Sequence, residues 1–168
     1  VVILDNVLAG HSFPSGATHS RRAWVEVEAF DGGTRIFSSG VVDDRMPITS
    51  LQDDNLWLMR SRIYDESGTE VHFSWRAHSM ESNLLPAGVT ADPSDPRFSH
   101  AVEKSYPLPS LPSRVTMRVR MRPLGLEMFD ELIEAGDLDQ AVVDAIPTLT
   151  LEGTELSWNE EEGLGCVR

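Results

Sequence analysis

The chain has 168 residues, 40% of them hydrophobic and 24% charged, with a formal net charge of −13. This balance excludes wholesale disorder, and the negative sign speaks against DNA or RNA as a partner, because phosphate binding needs cationic surface. No uncharged apolar run reaches the ~18 residues of a membrane span, and the lone Cys166 excludes an internal disulfide framework or a multi-cysteine metal site.

The chain opens VVILDNVLAG, with no initiator methionine and no basic-then-apolar leader, inside what reads as a strand. We take it for a mature or excised piece of a longer protein. From Arg21 to Phe30, Ala23, Val25, Val27 and Ala29 alternate with Arg22, Trp24, Glu26 and Glu28, which predicts a strand. The parity turns Trp24 outward. The Asp31–Gly33 turn hands over to TRIFSSGVV as a hairpin. Residues 55–65 read as a third strand, followed by a DESG turn and TEVHFSWRA, where Val71, Phe73 and Trp75 share a face and Trp75 is placed in the core.

Residues 88–98 (GVTADPSDPRF) form a loop rich in proline and aspartate. Val115, Met117, Val119 and Met121 then alternate with Thr116, Arg118, Arg120 and Arg122 in the cleanest amphipathic strand of the chain. Residues 124–146 read as a helical insertion, with Gly136 closing a first helix and Asp137 capping a second. A final strand covers residues 148–158. Residues 123–168 hold 12 acids against the single Arg168, so the acidity sits in this last quarter, including an acidic tail over residues 160–168. The fold class that follows is mainly β: an antiparallel two-sheet β-sandwich over residues 1–159 with a short α-helical insertion near the C-terminus.

The densest polar segment is NVLAGHSFPSGATHSRRAW, residues 6–24, a loop held between two strands. Its FPSG turn, histidine and SRR are similar to the signature of type 2 phosphatidic acid phosphatases and vanadium haloperoxidases. The match fails, because Gly16 is followed by Ala17 rather than histidine and residues 21–30 alternate as a strand, whereas that family is helical. No GxSxG elbow, HExxH, glycine-rich phosphate loop or CxxC occurs, so no catalytic constellation is present. Paired acids at 43–44 and 53–54 lack the order of a calcium loop. Of the five histidines, His72 falls on the outward face of its strand. His11 and His19 flank the FPSG turn, and His78 and His100 flank the residue 83–98 loop; if the loops share one end of the fold, these four form a candidate metal cluster.

The spaced set N-x-x-x-GH-x-FP-x-G…RR-x-W-x-x-V, carried by Asn6, Gly10, His11, Phe13, Pro14, Gly16, Arg21, Arg22, Trp24 and Val27, resembles the opening of the β-sandwich domain of certain multihaem c-type cytochromes. SSG at 38–40, IYDESGTEV at 63–71, NLLPAG at 83–88 and YPLP at 106–109 are similar to later elements of that domain, so the resemblance spans roughly residues 4–158. It implies a non-catalytic, periplasmic or extracellular accessory domain that supports electron transfer by packing on, shielding or axially ligating haem. No CxxCH motif is present, so the implied haem c is carried by another part of the parent protein or by a partner cytochrome subunit, and this chain binds none covalently. The resemblance further implies His11 as an axial ligand, with Asn6, Ser12 or Thr18 to orient it. Cys166 then reads as the partner of a cysteine elsewhere in the parent, or as the remnant of a motif cut at the boundary. The competing expectation is a stand-alone secreted adhesive or carbohydrate-binding β-sandwich, with Trp24 as its outward aromatic.

Overall fold

A computed structural model describes residues 1–7 and 10–159. Cys166 and the acidic tail lie outside the described residues. The strands are, in chain order, β1 (Val2–Leu4), β2 (Arg22–Asp31), β3 (Thr34–Ser39), β4 (Trp57–Met59), β5 (Ser61–Tyr64), β6 (Glu70–Val71), β7 (Ser79–Ser82), β8 (Val102–Lys104), β9 (Arg114–Arg122), β10 (Leu149–Thr150) and β11 (Leu156–Asn159). Two five-residue helices, α1 (Asp130–Glu134) and α2 (Gln140–Asp144), lie between β9 and β10. The protein is therefore mainly β, with antiparallel sheets and a short helical insertion near the C-terminus.

The chain forms two compact units: residues 1–21 with 59–106, and residues 22–58 with 107–168. In the first unit β1 pairs with β8, and β5 pairs with both β6 and β7. In the second, the sheet order is β10-β9-β2-β3, and β11 also pairs with β9.

The long antiparallel pair of β2 and β9 runs from Arg22 opposite Arg122 to Phe30 opposite Arg114. Cross-strand partners share a face. One face therefore carries Ala23, Val25, Val27 and Ala29 with Val119, all between 0% and 3% exposed. The other carries Arg22, Trp24 and Glu26 with Arg118, Arg120 and Arg122. The alternation predicts that this polar face meets water, yet Trp24 and Arg122 are both 0% exposed.

The polar face is roofed by its own unit. Arg122 donates to the carbonyls of Asp43, Asp44 and Met46 at 3.0, 3.1 and 2.6 Å and, through Nε, to Thr148 Oγ1 at 2.9 Å. Its guanidinium also stands 5.4 Å from the Trp24 ring centre, and Trp24 Nε1 donates to Gly40 O at 2.9 Å. The outward placement of Trp24 is thus corrected: around Trp24 the sheet is covered on both faces, and there parity separates two interiors rather than inside from outside.

Trp75 is corrected in the opposite sense, being 77% exposed. The strand pattern ends at Val71, and residues 74–76 turn as a 3-10 helix, so alternation no longer applies. There Trp75 stacks on Phe73 with ring centres 4.6 Å apart. Two expected strands are also divided: residues 55–65 break between β4 and β5, and residues 148–158 between β10 and β11.

Candidate functional site

The polar loop is held from several directions within the first unit, at Asn6 and over residues 10–21. Phe13 and Leu85 exchange both backbone hydrogen bonds, at 3.0 and 2.8 Å, which docks the turn onto the LLPAG segment. Asn6 Nδ2 donates to His11 O at 2.9 Å and to Pro86 O at 3.2 Å, tying the same two segments again. Pro14 is buried and follows a cis peptide bond. Gly16 has φ +75°, and a Cβ there would stand 3.3 Å from the Arg21 guanidinium, so a positive dihedral and a close approach both select glycine. Arg21 Nη1 donates to Ser15 O and closes the turn.

His11 projects from this fixed loop and is exposed. Its Nδ1 lies 3.2 Å from Ser12 O. A carbonyl can only accept, so in the neutral ring this contact selects the Nδ1–H tautomer and leaves the lone pair on Nε2. In that tautomer Nε2 could serve as one nitrogen ligand to an iron held elsewhere, with the orienting contact made through Nδ1. Ser12 serves the ring through its backbone carbonyl. Asn6 holds the His11 backbone rather than the imidazole. Thr18 points to another network, with Oγ1 2.7 Å from Ser61 Oγ and that hydroxyl 3.1 Å from Ser82 Oγ.

The remaining histidines have separate surroundings. His19 is half-buried. His78 is exposed, and its backbone N–H donates to Tyr64 O at 2.7 Å. His100 Nδ1 lies 2.8 Å from Phe98 O, while Nε2 lies 3.0 Å from Asn6 O and 3.1 Å from Asp5 Oδ1. The Phe98 and Asn6 carbonyls hold the His100 pKa above its ordinary value, and the Asp5 carboxylate adds in the same sense. Among the described residues, no group of three or more His, Cys, Asp or Glu side chains is placed to hold a metal ion.

The sequence reading missed that His100 braces the candidate loop. Its Nε2 reaches Asn6 O across 94 positions, and its ring covers Gly88, where a Cβ would stand 3.2 Å from the imidazole. No local spacing encodes a contact of that range; the absence of a side chain at Gly88 is the one residue-level trace of it.

No family model matches the chain, and no curated protein or solved structure is significantly similar to it. Among the described residues, no helix is long and apolar enough to cross a membrane.

Proposed function

We propose that this chain is a non-catalytic accessory domain of an extracytoplasmic multihaem c-type cytochrome, and that its His11 loop lends an axial ligand to a haem held by the parent protein or a partner subunit. The observation that supports the reading is the placement of His11: an exposed imidazole on a braced turn, with Nδ1 3.2 Å from Ser12 O and Nε2 without a hydrogen-bond partner among the described residues. Haem bound there would supply one-electron transfer, with a potential tuned by the ligand and its surroundings.

The chain's own residues supply position. Asn6 joins the His11 backbone to Pro86, the Phe13–Leu85 bridge fixes the turn, and Ser12 O sets the tautomer. Spectroscopy of the full-length parent tests the reading. With His11→Ala, one low-spin haem should become high-spin in the visible and EPR spectra. With His11→Met it should stay low-spin at a raised potential. Unchanged spectra in His11→Ala would remove the ligand role.

A further inference from the structure

The second unit carries a groove of about 380 Å³ on the polar face of its sheet. One half of that face is closed by the carbonyls gathered around Arg122. The other half is open, and its floor is laid by Glu26, Glu28 and Phe30 from β2, Arg114, Thr116 and Arg118 from β9, and Glu155 and Ser157 at β11. Strand register fixes their order: Thr116 faces Glu28 on one side and Ser157 on the other, and Arg114 faces Phe30.

Most of the charge on this floor is already neutralised. Arg118 Nε donates to Glu26 at 2.6 Å, and Arg35 pairs with Glu28 at 2.9 Å. Two charged groups remain without an ion pair among the described residues, one of each sign: Arg114, whose guanidinium is parked 4.0 Å from the Phe30 ring centre, and Glu155. The Thr116 and Ser157 side-chain hydroxyls beside them are likewise unbonded to protein there. The groove thus offers a cationic donor fork, an anionic acceptor and two hydroxyls, with no net preference for a charged ligand.

A small molecule dense in hydroxyls and carrying no charge matches that set, since each hydroxyl both donates and accepts. An anion would meet Glu28 and Glu155 and the field of a unit that is strongly acidic overall; a cation would meet Arg114. We propose that this groove is a binding site for a neutral saccharide of about two sugar units, with Arg114, Thr116, Glu155 and Ser157 as its hydrogen-bonding residues. The inference is independent of the haem reading, because the groove and the His11 loop belong to different units.

Titration of the full chain with maltose, cellobiose and N,N′-diacetylchitobiose, followed by amide chemical shifts, tests it. At least one disaccharide should give saturable shifts at Thr116, Met117 and Ser157 with a dissociation constant in the millimolar range. Arg114→Ala and Glu155→Gln should each weaken binding about tenfold, with the remaining spectrum showing that the variants fold. Arg97→Ala, in the other unit, should bind as the natural chain does. If all three sugars leave these amides unmoved up to about 50 mM, if the shifts fall elsewhere, or if Arg114→Ala binds undiminished in a folded protein, the proposal fails.

Discussion

At the residue scale, two basic side chains show how backbone carbonyls favour the charged form of a group. His100 has a carbonyl oxygen against each ring nitrogen, so only the imidazolium can donate to both; the neutral ring must leave one unmet. Its folded pKa is therefore raised above the ordinary 6.5. The protonated state contributes stability that is fully present below the unfolded pKa and is lost as pH rises through the folded one. We expect an NMR titration of the His100 ring to give a midpoint above 6.5. We also expect the stability margin of the natural chain over His100→Gln to shrink as pH rises through that midpoint. A margin that grows with pH would contradict the assignment.

Arg122 is the buried counterpart. Its four hydrogen bonds to Asp43 O, Asp44 O, Met46 O and Thr148 Oγ1 need a planar fork, and burial lowers its pKa without discharging it. Lysine keeps the charge but cannot reach acceptors in that geometry. Arg122→Lys should cost about 3 kcal/mol in urea unfolding. A loss below about 1 kcal/mol would mean the roof over Trp24 does not depend on the fork.

At the scale of elements, the segments that stand out in the sequence divide between architecture and exposure. Arg21 closes its turn, whereas Arg22 is 1% exposed and meets Glu127 at 2.7 Å over Gly125, where a Cβ would stand 2.8 Å from the guanidinium. Trp24 and SSG meet at Gly40, whose N–H and the Ser39 hydroxyl both donate to Asp53 Oδ2 at 2.8 Å. Gly40 has φ +72°, and its would-be Cβ would collide with the Val25 carbonyl. Gly40→Ala should therefore destabilise by about 2–3 kcal/mol. Gly33→Ala, with open space at its Cβ and no positive φ, should shift the unfolding midpoint little. Equal effects would refute the steric account. Strands, turns and the helical insertion were legible here because period and turn chemistry are local. The second helix start was misread by two residues for a physical reason. Gly136 ends α1 by turning the Asp137 and Leu138 N–H groups back to Leu132 O, so Asp137 belongs to the stop, and Asp139 caps α2 by accepting from Ala141 N at 2.8 Å.

At the scale of the molecule, charge and histidine are partitioned with the units. Residues 1–21 and 59–106 hold eight acids, six bases and all five histidines, whereas residues 22–58 and 107–168 hold nineteen acids and eight bases. The sequence places this acidity late in the chain, but it cannot show that the units interleave: the crossings at residues 21–22 and 58–59 fall within strand-like sequence, and the short Pro- and Ser-rich stretch after Tyr106 (PLPSLPS) reads as a loop rather than a boundary. Nor could parity show that Trp24 is interior, since that depends on Gly40 and on Arg122, itself held by the carbonyls of residues 43–46, closing over the ring from other parts of the chain. His11 was legible as a candidate because its turn is local, while its braces at Pro86 and, through Asn6, His100 were not.

If the partition is energetic as well as geometric, hydrogen exchange should resolve it. Amides of β2 and β9, whose Val25, Val27 and Val119 are at most 3% exposed, should be the slowest in the chain. Leu85→Ala removes a side chain 7% exposed in the first unit, and Ile48→Ala removes one 0% exposed in the second. Each truncation should cost about 2–5 kcal/mol within its own cooperative unit. Leu85→Ala should then speed exchange at Phe13 and in β5 and β7 while leaving β2 and β9 within about twofold of their natural rates. Ile48→Ala should do the reverse. Should either substitution speed both sets alike, the two units open as one, and the interleaved chain behaves as a single cooperative fold.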